Sequence, residues 1–268
     1  MRRIKQFLAG FTVVAAVGIL VLTFWLRDRY VVPILTYHNI SETKDQYSLN
    51  NVRPRSFARQ MKFLKRHGYN VISFDDWVDG TKRGRAFSHN TVILHFDDGY
   101  ADNYTNALPI LKMYGYPAMV FLVSDKIGTQ DFLTWGQVRE MDAQGFKAGA
   151  HTRRHVYLPD VSPDAAQDEI AGSKKIIEEH LGHAIDYFVY PSGGFTDEAK
   201  GMVQQAGFKA AGTTNRGQDR FNRDLFEVKR IRVKDSDGAI ALWAKLSGYY
   251  NLLRKSKCGS AGHCFNIE

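Results

Sequence analysis

Short apolar runs alternate with amphipathic helical stretches from Val31 to Leu246, and no other feature limits the fold as tightly. Runs of strand character are Val31–Tyr37 (VVPILTY), Asn70–Phe74, Thr91–Phe96 (TVILHF), Ala118–Val123 (AMVFLV), Phe146–Ala150, Tyr187–Tyr190 (YFVY), Lys209–Thr213 (KAAGT) and Lys229–Val233 (KRIRV). Ser56–Arg66 predicts a helix with Phe57, Met61 and Leu64 on one face, closed by Gly68. Asp102–Tyr114, Trp135–Gln144, Pro163–Leu181, Asp197–Ala206 and Gly238–Leu246 predict further helices. Such alternation implies a parallel α/β sheet. Roughly eight units in one domain favour a closed or distorted (β/α) barrel, with a doubly wound open sheet as the alternative. In a parallel barrel the C-terminal strand ends converge on one face, where sites are built. His38, Asp97, Asp98, His151, Pro191 and Ser192 all follow strand runs directly.

Phe7 to Leu26 holds no charged residue, and twenty helical residues span about 30 Å, the thickness of a bilayer core. Arg2, Arg3 and Lys5 precede the run, which predicts a cytoplasmic N-terminus and an extracytoplasmic remainder. Trp25 stands where an interfacial aromatic anchors. A cleaved signal peptide is the alternative, but the run is long for one and Thr23-Phe24-Trp25 offers no small-x-small site. The expected organisation is therefore residues 1–29 as tip and single-pass anchor in the cell membrane, 30–250 as one domain and 251–268 as a tail. The formal charge of +8 divides accordingly: half lies in residues 1–29, where it sets topology. The other half spreads over the remaining chain at a density too low to argue for nucleic acid. Oligomeric state leaves no sequence signal. Cys258 and Cys264 bracket a short tail loop, predicting a disulfide in an oxidising space; a site with His263 is the alternative.

Asp97-Asp98-Gly99 places two carboxylates at a strand end, where they point apart and can hold separate roles, one on a metal and one as a base. Asp75-Asp76 is a second Asp pair without the glycine, and reads as a helix start with Asp75 as cap. His151-Thr152-Arg153-Arg154-His155 sets two imidazoles four apart, a spacing that brings them to one side of a helical turn. His180 and His183 form another pair, on a polar helix end. Two His and one carboxylate leave metal positions open for water and substrate. With a divalent ion, Zn²⁺ or another first-row metal, and a free carboxylate beside it, this is equipment for hydrolysing an acyl or amide carbon.

These residues resemble the polysaccharide deacetylases, the NodB-homology group of carbohydrate esterase family four. Phe96-Asp97-Asp98-Gly99 is similar to the family's FDDG motif, His151–His155 to its H-(S/T)-x-x-H motif, and Tyr190-Pro191-Ser192-Gly193-Gly194 to its third motif. Pro33–Ile40 and Arg53–Gly68 resemble the permuted branch of poly-N-acetylglucosamine deacetylases. The resemblance implies a distorted (β/α)7-type barrel, here preceded by one N-terminal transmembrane helix. It implies Asp98, His151 and His155 as metal ligands and Asp97 as the base that activates water. It also implies the Ser192 N–H, after Pro191, as a donor to the oxyanion. His38 takes the place of the acid that protonates the leaving amine, with a structural His in the barrel mouth as the alternative. The implied substrate is an N-acetylated glycan of the cell envelope or outside it. An O-acetyl esterase on the same site and a non-catalytic carbohydrate-binding relative are the alternatives.

The chain departs from the pattern at Val189, where the family carries an Arg that orients the base. Arg230 and Arg232 share a strand face by period two and offer that charge, or are surface residues. His95 reads as a packed neighbour. Trp135 is either a sugar-stacking wall or a helix anchor.

Overall fold

The computed structural model describes residues 17–18, 21, 29–42, 50–214 and 217–251. Most of the Phe7–Leu26 run and the whole Cys258–Cys264 loop lie outside these residues. Among the described residues, no helix is long and apolar enough to cross a membrane.

Among the described residues nine strands follow in chain order: β1 Ile34–Tyr37, β2 Asn70–Val71, β3 Thr91–Phe96, β4 Ala118–Leu122, β5 Phe146–Ala150, β6 Tyr187–Val189, β7 Ala210–Thr213, β8 Val228–Lys229 and β9 Ile231–Arg232. The helices are α1 Pro54–Arg66, α2 Phe74–Lys82, α3 Leu108–Tyr114, α4 Trp135–Ala143, α5 Pro163–Leu181, α6 Asp197–Gln205 and α7 Ala239–Leu246. All strand pairings are parallel, in the order β8-β7-β6-β5-β4-β3-β1-β9. The two ends of this order are one stretch of chain. Lys229 registers with Thr213 of β7 and Ile231 with Leu35 of β1, so residues 228–232 bridge both edges and nearly close a barrel. The ring has seven staves rather than eight. β2 only pairs with the start of β3 and is accessory. It ends after two residues because Ser73 caps α2, accepting a hydrogen bond from the Asp76 N–H. Asp75 therefore sits in the first helical turn and is not the cap.

Alternation along the staves sorts two cores. Ile34, Ile93, Met119, Phe121, Tyr187, Val189, Ala210 and Val228 point into the barrel, joined by Phe74, Trp77 and Val78 of α2. Leu35, Leu94, Val120, Phe188 and Ile231 point outward against Phe57, Met61 and Leu64 of α1 and Ile170 and Ile177 of α5. Each such side chain contributes about 1.5–3 kcal/mol on burial. The interior is filled tightly enough to need glycine: a Cβ on Gly149 would stand 2.5 Å from the Phe121 ring.

Candidate active site

The polar residues singled out in the sequence gather at the C-terminal strand ends. His38 follows β1, Asp97 and Asp98 follow β3, His151 follows β5, and Pro191 and Ser192 follow β6. Asp98, His151 and His155 place one ligand atom each within 4.8 Å of one another, and no other such group occurs among the described residues. Asp98 Oδ1 lies 3.5 Å from His151 Nε2 and 3.4 Å from His155 Nε2.

The protonation of this group follows from its neighbours. His151 Nδ1 donates to the Val189 carbonyl at 2.7 Å, which turns Nε2 toward Asp98. Burial first, and the adjacent His151 second, push His155 down to about 4, so it is neutral near pH 7. Asp98 Oδ1 is buried with no hydrogen-bond partner. The Nε2 atoms of two imidazoles thus converge on a buried carboxylate oxygen that lacks a hydrogen-bond partner, an arrangement a cation between them would satisfy. The Val189 contact is the kind of outer support that orients a metal-binding imidazole. The residues present fit a divalent ion.

The two His do not meet across a helical turn, as their spacing predicts. The segment is irregular, with Thr152 at φ 62° and His155 at φ 65°. Asp98 and Ser192 also adopt positive φ, at 73° and 52°. Of the six non-glycine residues with positive φ among those described, four therefore lie at this mouth. Such backbone costs of order 1–3 kcal/mol per residue and persists where surrounding contacts enforce it. Here the enforcement is visible. The Arg153 and Arg154 N–H groups both donate to Glu169 Oε2 at 2.9 Å, and the His155 N–H donates to Thr152 Oγ1 at 3.0 Å. Glu169 is fully buried on α5, and nothing in the sequence reading pointed to it. The available signal was a carboxylate on the apolar stripe formed by Ala166, Ile170, Ser173 and Ile177.

Asp97 is bonded to Arg230 rather than to the His pair. Arg230 Nη1 donates to Oδ1 at 2.7 Å and Nη2 to Oδ2 at 2.9 Å, a buried bidentate pair. Gly212 admits it, since a Cβ there would lie 2.9 Å from Arg230 Cδ and 3.2 Å from Val189 Cγ2. Arg230 thus supplies the charge that Val189 lacks. Arg232 does not: it is exposed and donates to Asn50 Oδ1. Their shared face is lost because the strand breaks at Arg230, between β8 and β9. Burial raises the Asp97 carboxyl, but Arg230, with His38 and His151, more than offsets this and holds it below the usual carboxylate range. His38 Nε2 stands 3.9 Å from Asp97 Oδ2. Burial lowers the His38 imidazole against the pull of Asp97 and Asp98, so it rests neutral.

Pro191 and Ser192 form a tight turn, Pro191–Gly193, pinned where Thr213 Oγ1 donates to the Gly193 carbonyl at 2.6 Å. The remaining candidates fall outside the mouth's chemistry. His95 is fully buried between Phe74 and Phe121. Trp135 stacks on His180 with centroids 3.9 Å apart, which makes it a helix anchor and removes His180 from any pair with His183. His183 instead meets Asp142 at 3.0 Å.

A near-closed parallel barrel with an Asp/His/His cluster and a tethered second carboxylate at its C-terminal mouth fits a hydrolase with a candidate metal site on a (β/α)7-type scaffold. Residues 84–211 match the family model for polysaccharide deacetylase. YxkH of Bacillus subtilis (strain 168), named for the same family, is 32% identical over 203 residues, covering 75% of this chain and 71% of that protein. The poly-beta-1,6-N-acetyl-D-glucosamine N-deacetylase of Staphylococcus aureus (strain MRSA252) is 24% identical over 199 residues, covering 69% of this chain and 68% of the relative. The Streptococcus pyogenes deacetylase PplD, solved in complex with acetate, superposes with a TM-score of 0.74 at 28% identity, covering 80% of this chain and 97% of that one. The chain belongs to the polysaccharide deacetylase family, and is a hydrolase of that class.

Proposed function

We propose that this enzyme removes N-acetyl groups from N-acetylhexosamine units of a cell-envelope or extracellular polysaccharide. The observation that carries the reading is the orphaned Asp98 Oδ1 facing the Nε2 atoms of two imidazoles, beside an Asp97 held by Arg230. Asp98, His151 and His155 would hold a divalent ion, which we take to be Zn²⁺. Such an ion lowers the pKa of bound water and polarises a carbonyl oxygen.

The chain's own groups do the rest. Asp97, ionised at neutral pH and fixed by Arg230, accepts the proton of the attacking water at a carboxylate oxygen. The Ser192 N–H, aimed by the turn after Pro191, donates to the oxyanion. His38, neutral at rest, takes up at Nε2 the proton that Asp97, 3.9 Å away, has accepted from the water, and passes it to the departing amine. Acetate and a free amino sugar leave. Phe7–Leu26 would hold the domain on the outer side of the cell membrane, with the N-terminus cytoplasmic.

Acetate release from a panel of N-acetylated and O-acetylated glycans tests the substrate class. N-acetylated glycans should be the better substrates, and release from O-acetylated ones alone would make the site an esterase. Asp97→Asn should lower turnover by at least 10²-fold, the scale of a lost general base, with metal content unchanged. Equal acetate from wild type and variant refutes the role of Asp97, and none from either marks a binding protein.

A further inference from the structure

We propose that the N-terminal end of the barrel carries a site for the phosphate of an anionic phospholipid headgroup, formed by Arg85 and Arg223. This rests on the reading of Phe7–Leu26 as a membrane span.

A pocket of about 490 Å³ opens at this end, lined by Tyr30, Trp77, Phe87 and Phe221 together with the two arginines. Tyr30 precedes β1, Arg85 and Phe87 precede β3, and Phe221 and Arg223 precede β8. The pocket is therefore at the opposite end of the staves from Asp97 and Asp98. It is a built surface rather than a loose loop. Gly80 of α2 lacks a side chain where a Cβ would stand 2.5 Å from the Phe87 ring. Tyr30 stacks on His89 with centroids 4.2 Å apart and donates its hydroxyl to the Ser88 carbonyl.

The two arginines are exposed, and neither has a carboxylate partner among the described residues. Arg85 instead lies 5.5 Å from the centroid of Phe87, and Arg223 lies 5.3 Å from that of Phe221. Some arginines elsewhere are paired, Arg83 with Asp79, Arg53 with Asp235 and Arg153 with Asp125 and Asp168, whereas Arg55, Arg66 and Arg139, like Arg85 and Arg223, have no carboxylate ion pair among the described residues. A guanidinium resting on an aromatic face keeps its N–H edge for an acceptor, and its planar fork matches phosphate oxygens.

The occupant follows from where the chain comes from. Tyr30 is four residues beyond Leu26, the end of the apolar run. Four residues reach at most about 14 Å. The headgroup layer is itself about 5–7 Å deep on each side of the hydrocarbon. A span at 7–26 therefore brings this pocket to the lipid headgroups, and aromatic residues with arginines are the side chains that suit that layer. Filling the pocket would stand the barrel upright, with its catalytic mouth turned away from the membrane toward the glycan.

The test uses the full chain in nanodiscs of phosphatidylcholine, with and without phosphatidylglycerol, read by hydrogen exchange. Residues 82–90 and 220–224 should exchange several-fold more slowly in the discs with phosphatidylglycerol, and the difference should vanish in Arg85→Glu/Arg223→Glu. That variant should release acetate from a soluble oligosaccharide at the wild-type rate, which confirms its fold. Equal exchange in both discs, or a difference that survives in the variant, overturns the headgroup site alone. Slowing by inorganic phosphate in phosphatidylcholine discs would make it a free-anion site and overturn the lipid assignment. Loss of the wild-type chain from both discs on washing refutes the span, and the headgroup site with it.

Discussion

Arg230 sets the chemistry of Asp97 from a position 133 residues away in sequence. Removing it by Arg230→Gln leaves a buried carboxylate without its charge partner, which costs about 3–5 kcal/mol when the pair is fully enclosed. The pH dependence has a definite sign. The folded carboxyl of Asp97 is depressed, so the pair stabilises the protein above the ordinary carboxylate pKa and is lost as pH falls through the folded value. In Arg230→Gln burial is opposed only by His38 and His151, so the pKa of Asp97 rises. The acid limb of kcat/KM should move to higher pH, with turnover lowered across the range. A profile that keeps its acid limb in place would show that Asp97 is oriented by something else. The candidate metal-binding cluster was legible in the sequence because each motif is local: Asp98 sits beside Asp97, and His151 and His155 are four apart. The tether was not decidable between Arg230 and Arg232. Period two assumes an unbroken strand, and the break falls on Arg230 itself.

At the level of elements, the turn after β5 depends on α5. Glu169 accepts the N–H groups of both Arg153 and Arg154, and its Oε1 accepts from Arg154 Nε, while Arg153 reaches Asp125 and Asp168. A carboxylate has only acceptors to offer here, and every neighbour is a donor. Glu169→Gln turns an amide NH2 toward one of them. The loss should fall on the geometry of His155 rather than on the helix, because α5 keeps its Ser162 cap and buried face. Metal affinity should drop about 10–100-fold, as for other outer-layer supports, with far-UV circular dichroism unchanged. Competition against a coloured chelator measures it, and unchanged affinity would reduce Glu169 to a packing role. No local motif marks such a residue. Its partners are backbone N–H groups, which every sequence has, so only the fold distinguishes it.

Across the whole molecule, the alternation of runs made the parallel sheet and a closed or distorted barrel readable, but it pointed to roughly eight units where the ring has seven staves, and it did not show which stretch closes the ring. A stave split into two pairs of residues, Val228–Lys229 and Ile231–Arg232, carries too little periodicity to show that it joins β7 to β1. That closure matters for the site, because it brings β3, β5 and the 228–232 stretch to one mouth, and a bound ion would tie β3 to the turn after β5. Binding to the folded state alone stabilises it by about 2.7 kcal/mol at a hundredfold excess over Kd. For a domain of this size that is a rise of about 5–10 °C in Tm. Zn²⁺ added to chelator-stripped protein should produce this shift, and Asp98→Asn should abolish it, because an amide cannot replace the carboxylate whose Oδ1 faces both imidazoles. The variant also separates the barrel site from His263 and the two tail cysteines. An ion held only by the tail would leave the shift intact in Asp98→Asn, and that result would remove the metal from the barrel mouth.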